Sequence, residues 1–205
     1  MLIAERFVLL ALDPRTGRLA LPRRDTSADL LCAAGLLIDL LLQQRLAIDA
    51  SQRWQTDTSL PSSNTLLSAA AAALSSTPPP AADDALRRVE RRLAPLAGKL
   101  LEGLYRRDFL HRQRDWRFWR ADALHYPLRS LQARNDAVQF LQQACDGGSA
   151  AGLGLLLLAD LAGVMTAHLD ARHHERANRL LLGLNSVDAH SELYGLALLR
   201  NALLA

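Results

Sequence analysis

The chain has 205 residues, half of them hydrophobic, and a formal net charge of +3 at pH 7. This length suits one domain with a buried core rather than two full domains. Cys32 and Cys145 lie far apart without a metal-type spacing, which argues against a disulfide framework or a zinc site and suits a reducing cytoplasm. Aromatic residues make up only 5% of the chain, while Leu and Ala dominate the apolar set. Because both favour helices, we expect an all-α fold, a single compact multi-helix domain over residues 1–205.

The first third of the chain predicts a short helix, a turn and a central helix. Apolar residues crowd Leu2–Leu12, as in a short buried helix. In Asp13–Gly17 the proline fixes φ and the glycine can take a positive φ, so a turn is expected. Residues 18–21 alternate like a short strand. Ser27 can cap a helix to about residue 44, and because apolar side chains surround its whole circumference, this helix should be central.

The middle of the chain predicts a strand, a capped helix and a broken helix. Residues 45–54 alternate with a period of two, as in a strand that leads into a second strand or a loop. Asn64 can cap a helix over residues 65–74, which the prolines after it would end. A long helix is expected over residues 83–107, with a kink or break at Pro95.

The C-terminal part predicts four further helices, with breaks at Gly147-Gly148 and Asn185-Ser186. They are expected over about residues 129–145, 150–168, 171–183 and 188–203. The most apolar run, Ala150–Val164, is about 15 residues long and falls short of the roughly 20 needed to span a bilayer. We therefore interpret it as a buried core helix.

The positive charge of the chain is concentrated in Tyr105–Leu128. Residues 105–120 contain six arginines and two aspartates, a net +4, so the remaining residues sum to −1 against the total of +3. Two of the three tryptophans, Trp116 and Trp119, flank Phe118 in the same stretch. A basic segment with large aromatic residues is typical of proteins that contact an anionic surface, either lipid headgroups or a nucleic-acid backbone.

This stretch predicts a β-hairpin with strands at residues 109–112 and 116–121 and a turn at residues 113–115. The turn lacks Asn-Gly or Asp-Gly, the pairs that favour a two-residue hairpin turn. In a strand, Trp116 and Phe118 would share one face, and Arg117 and Trp119 the other. Because burying both faces would bury an arginine, at least one face should be exposed. Packing of the other face and self-association are the alternatives.

The chain lacks the motifs of common catalytic sites. It contains no Ser-His-Asp order, GxSxG, P-loop or GxGxxG sequence, so we expect neither an enzyme nor a cofactor. Glu102, Asp115 and Asp122 lie among arginines, which should keep them ionised and paired. Histidines cluster in residues 168–175, but their spacing matches no metal motif, and a solvated helix start is favoured over a metal site. The two glycines in residues 152–154 should permit close helix packing.

A second basic run occupies Arg87–Arg92. The simpler interpretation is a solvated helix face on which Glu90 pairs with neighbouring arginines. The alternative is that these arginines extend the basic surface of residues 105–120, since they precede it on the same predicted helix.

Several segments together resemble the Golgi phosphoprotein 3 family. They are residues 4–19 (AERFVLLALDPRTGRL), residues 37–46 (LIDLLLQQRL), residues 104–110 leading to Tyr126-Pro127-Leu128, and an apolar helix over residues 155–168. The resemblance covers nearly the whole chain. It implies a helical domain with a protruding β-hairpin over Phe109–Leu124 that contacts a membrane, beside a basic pocket for the headgroup of phosphatidylinositol 4-phosphate. In eukaryotic members, such proteins also bind the cytosolic tails of Golgi enzymes.

The headgroup pocket of that family is not matched residue by residue. Its tryptophan falls on Arg24, its first arginine on Ala33, and its two later arginines on Ala94 and Ala97. The candidates for contacting a headgroup are the basic residues close to these positions: Arg23, Arg24, Arg91 and Arg92. The near-total use of Arg over Lys indicates a bacterial member of the family, from a GC-rich genome.

Charge, aromatic content and resemblance together predict a peripheral membrane-binding protein on the cytoplasmic side that contacts anionic or phosphoinositide-type lipids. The expected lipid-contacting residues are Arg112, Arg114, Trp116, Arg117, Phe118, Trp119 and Arg120. The resemblance adds an adaptor role toward client protein tails. The alternatives are a winged-helix-like nucleic-acid binder and a scaffold in which the hairpin joins copies of the chain into a homo-oligomer.

Overall fold

The computed structural model describes residues 1–22, 27–57, 63–114 and 124–205, apart from the side chain of Arg114. Within these ranges the chain forms nine α-helices and two antiparallel two-stranded sheets. The helices are α1 Ile3–Ala11, α2 Ala28–Leu42, α3 Thr65–Leu74, α4 Ala82–Leu93, α5 Leu96–Arg106, α6 Leu131–Gly147, α7 Ala150–Ala162, α8 Ala171–Gly183 and α9 Tyr194–Leu204. The strands are β1 Leu46–Ile48, paired with β2 Trp54–Thr56, and β3 Gln113–Arg114, paired with β4 Leu124–His125. The predicted all-α fold is confirmed.

Helix α2 lies at the centre of the core, as predicted. All of its residues from 31 to 40 are buried, and it contacts α1, α3, α4, α5, α7 and α9. A Cβ atom at Gly35 would lie only 2.8 Å from the Cα atom of Ala4. Helix α1 therefore crosses α2 at a distance that only glycine permits.

The two charged residues of α2 are aspartates, and each caps the start of another helix. Near its C-terminal end, Asp39 accepts hydrogen bonds from the backbone N–H groups of Ile3 at 2.9 Å and Ala4 at 3.3 Å, at the start of α1. Leu2 precedes α1 and has no side-chain acceptor. A carboxylate from the neighbouring helix thus satisfies N–H groups that a helix start leaves free.

Asp29, in the first turn of α2, caps the start of α5 in the same way. Its Oδ1 accepts a hydrogen bond from the N–H of Ala97 at 2.8 Å, and the residue before α5 is Pro95, which supplies no side-chain cap. The central helix therefore orients both α1 and α5 through its own carboxylates.

The predicted caps and the predicted break lie at their expected residues. Ser27 Oγ accepts from the N–H of Leu30 at 3.0 Å, and Asn64 Oδ1 accepts from the N–H of Leu66 at 3.0 Å. Pro95 separates α4 from α5, because a proline cannot continue the α4 hydrogen-bond ladder. The long helix expected over residues 83–107 is therefore two helices.

The two N-terminal strand predictions have different outcomes. Residues 45–54 lead through β1 into β2, and Ile48 pairs with Trp54. Residues 18–21 instead form only a single bridge, between Leu19 and Leu12. This stretch is an extended connection rather than a strand.

Helix α7 packs closely against α6 and α2 through its two glycines, as predicted. A Cβ at Gly152 would lie 2.5 Å from Cβ of Ala144, and one at Gly154 would lie 2.8 Å from Cγ2 of Ile38. The helix ends at Ala162 rather than near residue 168, because Gly163 adopts a left-handed conformation with φ of 75°. A short 3₁₀ turn, Met165–Ala167, follows.

Both cysteines, Cys32 and Cys145, are free and buried, and burial raises the pKa of both thiols. Within the described ranges, no single helix is long and apolar enough to cross a bilayer. Helices α6 and α7 together have the length and composition, but they are bent by 113° at their junction.

Candidate functional site

The basic segment leaves α5 as a short antiparallel ribbon, which we call the basic ribbon (residues 109–114 and 124–128). Its paired residues are Leu110 with Leu128, Gln113 with His125, and Arg114 with Leu124. The turn predicted at residues 113–115 is wrong, because Gln113 and Arg114 belong to the outgoing strand. Residues 115–123, which include the predicted return strand, lie outside the described residues.

The N-terminal turn packs against the returning side of the basic ribbon. The turn forms as predicted, with Gly17 at a φ of 65°. The carbonyl of Gly17 accepts a hydrogen bond from the N–H of Tyr126 at 2.9 Å. A Cβ at Gly17 would lie 2.4 Å from the backbone nitrogen of Pro127, so no larger residue fits without displacement. Two segments that carry the family resemblance are therefore in direct contact.

Next to this contact, Arg18 joins the turn to the ribbon. Its Nε donates a hydrogen bond to Nδ1 of His125 at 2.9 Å, and His125 is buried. The side chain of this histidine is thus a structural part of the ribbon base.

Glu102, on the last turns of α5, binds three groups of the ribbon region. Its Oε2 accepts a hydrogen bond from the hydroxyl of Tyr126 at 3.3 Å and lies 3.6 Å from Nη1 of Arg112, while its Oε1 lies 3.4 Å from Nε of Arg106. The guanidinium of Arg112 also lies over the ring of Tyr105, 5.2 Å from its centroid. Burial, followed by the charge of Glu102, raises the pKa of Tyr126. The predicted pairing of Glu102 with arginines is confirmed.

A second acidic residue, Glu5 of α1, pairs with the residue that follows α5. Its Oε1 lies 2.6 Å from Nη2 of Arg107, and its Oε2 accepts a hydrogen bond from the N–H of Leu2 at 3.0 Å. The Glu5 side chain is almost fully buried. Residue-by-residue reasoning missed this partner, although an acidic residue inside the apolar run Leu2–Leu12 was a signal that could have revealed it.

The charge of the basic segment is therefore partly compensated at its described end. Arg106, Arg107 and Arg112 each have a carboxylate partner, supplied by Glu5 or Glu102. The sequence count of +4 included only the acids within the segment itself.

Two large apolar side chains on or just after the returning strand are exposed. Leu124 on β4 is 44% exposed, and Leu131 at the start of α6 is 60% exposed. Leu124 pairs with Arg114, so the ribbon carries an exposed leucine opposite an arginine position.

Most of the predicted lipid-contacting residues lie outside the described residues: Trp116, Arg117, Phe118, Trp119 and Arg120. Arg112 is at the ribbon base, and Arg114 is described only by its backbone in β3. Of the predicted headgroup residues, Arg23 and Arg24 also lie outside the described residues. Arg91 and Arg92 are exposed in the last turn of α4, next to the start of α5, whereas the basic ribbon begins where α5 ends.

The second basic run is a solvated helix face, but its expected internal pairing is wrong. Glu90 accepts a hydrogen bond from the hydroxyl of Ser27 at 2.8 Å, and among the described residues it pairs with no arginine of its own helix. Arg88 pairs with Asp84 at 2.6 Å, one turn earlier on α4. Glu90 therefore joins α4 to the start of α2.

The histidine-rich run is the start of α8, as favoured above. Asp170 caps the helix by accepting from the N–H of His173 at 2.8 Å. His168 is a packing residue, since its Nε2 lies 2.9 Å from the carbonyl oxygen of Leu10. Across the described part of the chain, no group of three His, Cys, Asp or Glu side chains could hold a metal ion.

Fold and site together define a helical protein that carries a basic β-ribbon, braced by an N-terminal turn and by acids from two helices. Residues 3–194 match the family model described as Golgi phosphoprotein 3 (GPP34). Since this match spans nearly the whole chain, the protein belongs to the Golgi phosphoprotein 3 family. No curated protein matches the chain.

Proposed function

We propose that this protein is a non-enzymatic, peripheral membrane-binding domain that acts as one unit over residues 1–205. Its basic ribbon and the intervening tip, Phe109–Leu124, would contact anionic headgroups of the phosphoinositide type. The observation that carries the proposal is the braced ribbon base: Arg112 sits between Glu102 and the Tyr105 ring, with exposed Leu124 on the opposite strand. Membership of the Golgi phosphoprotein 3 family supports it.

Aromatic side chains and arginines would both contribute to membrane binding. Trp116, Phe118 and Trp119 would insert at the headgroup boundary, where aromatic side chains are stable. Four arginines would pair with lipid phosphates: Arg112 and Arg114 of the ribbon, and Arg117 and Arg120 of the intervening tip. At about 1 kcal/mol for each basic residue near an anionic surface, they contribute a few kcal/mol, so the inserted aromatics are needed for stable attachment.

The polar contacts around the ribbon base support the same proposal. The carbonyl of Gly17 binds the N–H of Tyr126 on the returning side, and Glu5 binds Arg107, which precedes the outgoing side. A ribbon whose base is ordered before binding loses less conformational entropy at the membrane. The membrane-bound domain would then present its other surfaces to client protein tails as an adaptor.

A general preference for anionic lipid fits the residues at the start of α5 better than a selective headgroup pocket. Family pocket arginines fall on Ala94 and Ala97, and the N–H of Ala97 is already occupied by the carboxylate of Asp29. A phosphate at this helix start would meet a like charge. Arg23, Arg24, Arg91 and Arg92 are the proposed source of any headgroup contacts here.

Co-sedimentation with anionic vesicles tests the proposal. The double variant Trp116→Ala/Trp119→Ala should lose most of its binding. The matched control is Leu182→Ala/Leu204→Ala, which removes two exposed apolar side chains from α8 and α9 and should bind like wild type. Equal binding by wild type and the tryptophan variant would contradict the proposal. A gel shift at moderate salt with duplex and single-stranded nucleic acid tests the nucleic-acid alternative, and a mass measurement in solution tests the homo-oligomer alternative.

A further inference from the structure

A cavity of about 650 Å³ lies at the C-terminal end of α2, between β1 and the segment that leads into α9. This volume is within the range of about 300–1,000 Å³ that small-molecule sites occupy. No described residue of the basic ribbon lines it. Its apolar walls are formed by Ile38, Leu41, Leu42, Leu46, Ile48 and Leu196.

The mouth of this cavity leaves apolar surface in water. Leu42, in the last turn of α2, is 39% exposed and lines the cavity. Ala189, in the segment that leads into α9, also lines the cavity and is exposed. An apolar ligand that covered Leu42 would remove this surface from solvent, which is a favourable change.

The rim of the cavity has a negative character. Asp49, after β1, and Glu192, before α9, both line it, while Lys and Arg are absent among the described lining residues. The hydrogen bond from the backbone N–H of Arg53 does most to lower the pKa of Asp49, so this carboxylate is charged at neutral pH. Both of its oxygens already accept hydrogen bonds, from the N–H groups of Ser51 and Arg53 and from the side-chain amide of Gln55, so Glu192 is the carboxylate left to contact a ligand. Tyr194 adds an aromatic ring, whose face attracts cations.

We propose that this cavity binds an amphiphile with an alkyl chain and an ammonium headgroup. The alkyl chain would lie against the leucine and isoleucine walls, and the headgroup would lie at the rim beside Glu192, where the charge of Asp49 adds to the negative field. An anionic amphiphile of the same length would bring like charges together at the rim. The site differs from the basic ribbon in both charge and position, so the two can be tested separately.

Calorimetric titration of the full chain with octylamine, octanoate and octan-1-ol provides the test. Octylamine should bind saturably and about tenfold more tightly than octanoate. Glu192→Gln should remove most of this preference and leave octanol binding unchanged. Ala189→Trp should fill the mouth and abolish binding of all three probes. Both positions are exposed, so both variants should melt at the wild-type temperature.

Glu175→Gln is the matched control, since Glu175 is an exposed carboxylate on α8 outside the cavity, and it should bind all three probes like wild type. Equal affinity for octylamine and octanoate would overturn the charge selectivity. Unchanged octylamine binding by Ala189→Trp would place the ligand elsewhere and overturn the site.

Discussion

Arg107, at the end of α5, pairs with the buried carboxylate of Glu5 on α1 at 2.6 Å. The two residues are 102 positions apart in the chain, and their pairing joins the end of α5, just before the basic ribbon, to the first helix of the core. Helix α1 is in turn capped by Asp39 of the central helix. A continuous set of polar contacts therefore leads from α2 to the ribbon base.

Removing Arg107 should leave Glu5 buried without its cation. We expect Arg107→Ala to lower the free energy of unfolding by about 1–2 kcal/mol, below the roughly 3–5 kcal/mol of a fully buried pair, because the arginine is 44% exposed. Urea unfolding measures the change. The control is Arg106→Ala, whose 76% exposed side chain should cost no more than about 0.5 kcal/mol. Equal losses in the two variants would contradict the structural role of the Glu5 pair.

The buried Asp39 should make stability depend on pH. Burial raises the pKa of Asp39 from 3.8 to about 7 despite the two N–H groups it accepts from. The folded state therefore binds a proton more tightly than the unfolded state, and stability should fall as the pH rises from about 4 to 7, by at most about 1.4 kcal/mol per pH unit. The Asp39→Asn variant should lack this pH-dependent loss of stability, because its side chain does not titrate. Parallel stability curves for variant and wild type between pH 4 and 7 would refute the assignment.

Gly17 should tolerate no side chain. In Gly17→Ala, the new Cβ would meet the backbone of Pro127, and φ would remain at an unfavourable 65°, so we expect a loss of about 1–3 kcal/mol and weaker binding to vesicles. Gly103→Ala is the matched control. Gly103 lies within α5, where an added methyl group would have no neighbour within 4 Å, and its replacement should stabilise the protein by about 0.5–1 kcal/mol. Both changes are measurable by thermal or urea unfolding.

Neutralising Glu102 should strengthen binding to anionic membranes. Glu102→Gln removes the negative charge that partly compensates Arg106 and Arg112, while its amide oxygen can still accept hydrogen bonds from Arg112 and Tyr126. With about 1 kcal/mol gained for a unit of positive charge near the surface, vesicle affinity should rise roughly fivefold at low salt and less at high salt. Glu175→Gln, on α8, should change affinity little. Weaker binding by Glu102→Gln would show that the geometry of the Arg112 side chain matters more than its net charge.

Local sequence signals predicted most helices well. Ser27 and Asn64 act as caps where expected, and Pro95 divides the α4–α5 pair, because each of these effects depends on the residue and its immediate neighbours. The end of α7 was placed too late, although Gly163 was present to mark it. The apolar periodicity of the sequence continues past Gly163, so periodicity alone predicts a longer helix than the structure contains.

The ribbon register was beyond local reasoning. No Asn-Gly or Asp-Gly pair marks its turn, so nothing nearby in the chain specifies which residues face one another. In the structure, Leu110 pairs with Leu128, and the returning side of the ribbon is also hydrogen-bonded to Gly17, a residue far away in sequence. The same separation in sequence explains why local reasoning does not identify Glu5 as the partner of Arg107 in the basic segment.

The sequence by itself determined the helical fold, the central position of α2 and a local excess of positive charge, because apolar periodicity, caps and composition are properties of neighbouring residues. Only the tertiary structure decided how much of that charge is compensated. Glu5 reaches Arg107 across 102 residues, and Asp29 and Asp39 act on helices other than their own. Such pairings depend on how the helices cross, because a carboxylate that is partly or fully removed from water needs hydrogen-bond donors from the neighbouring helices.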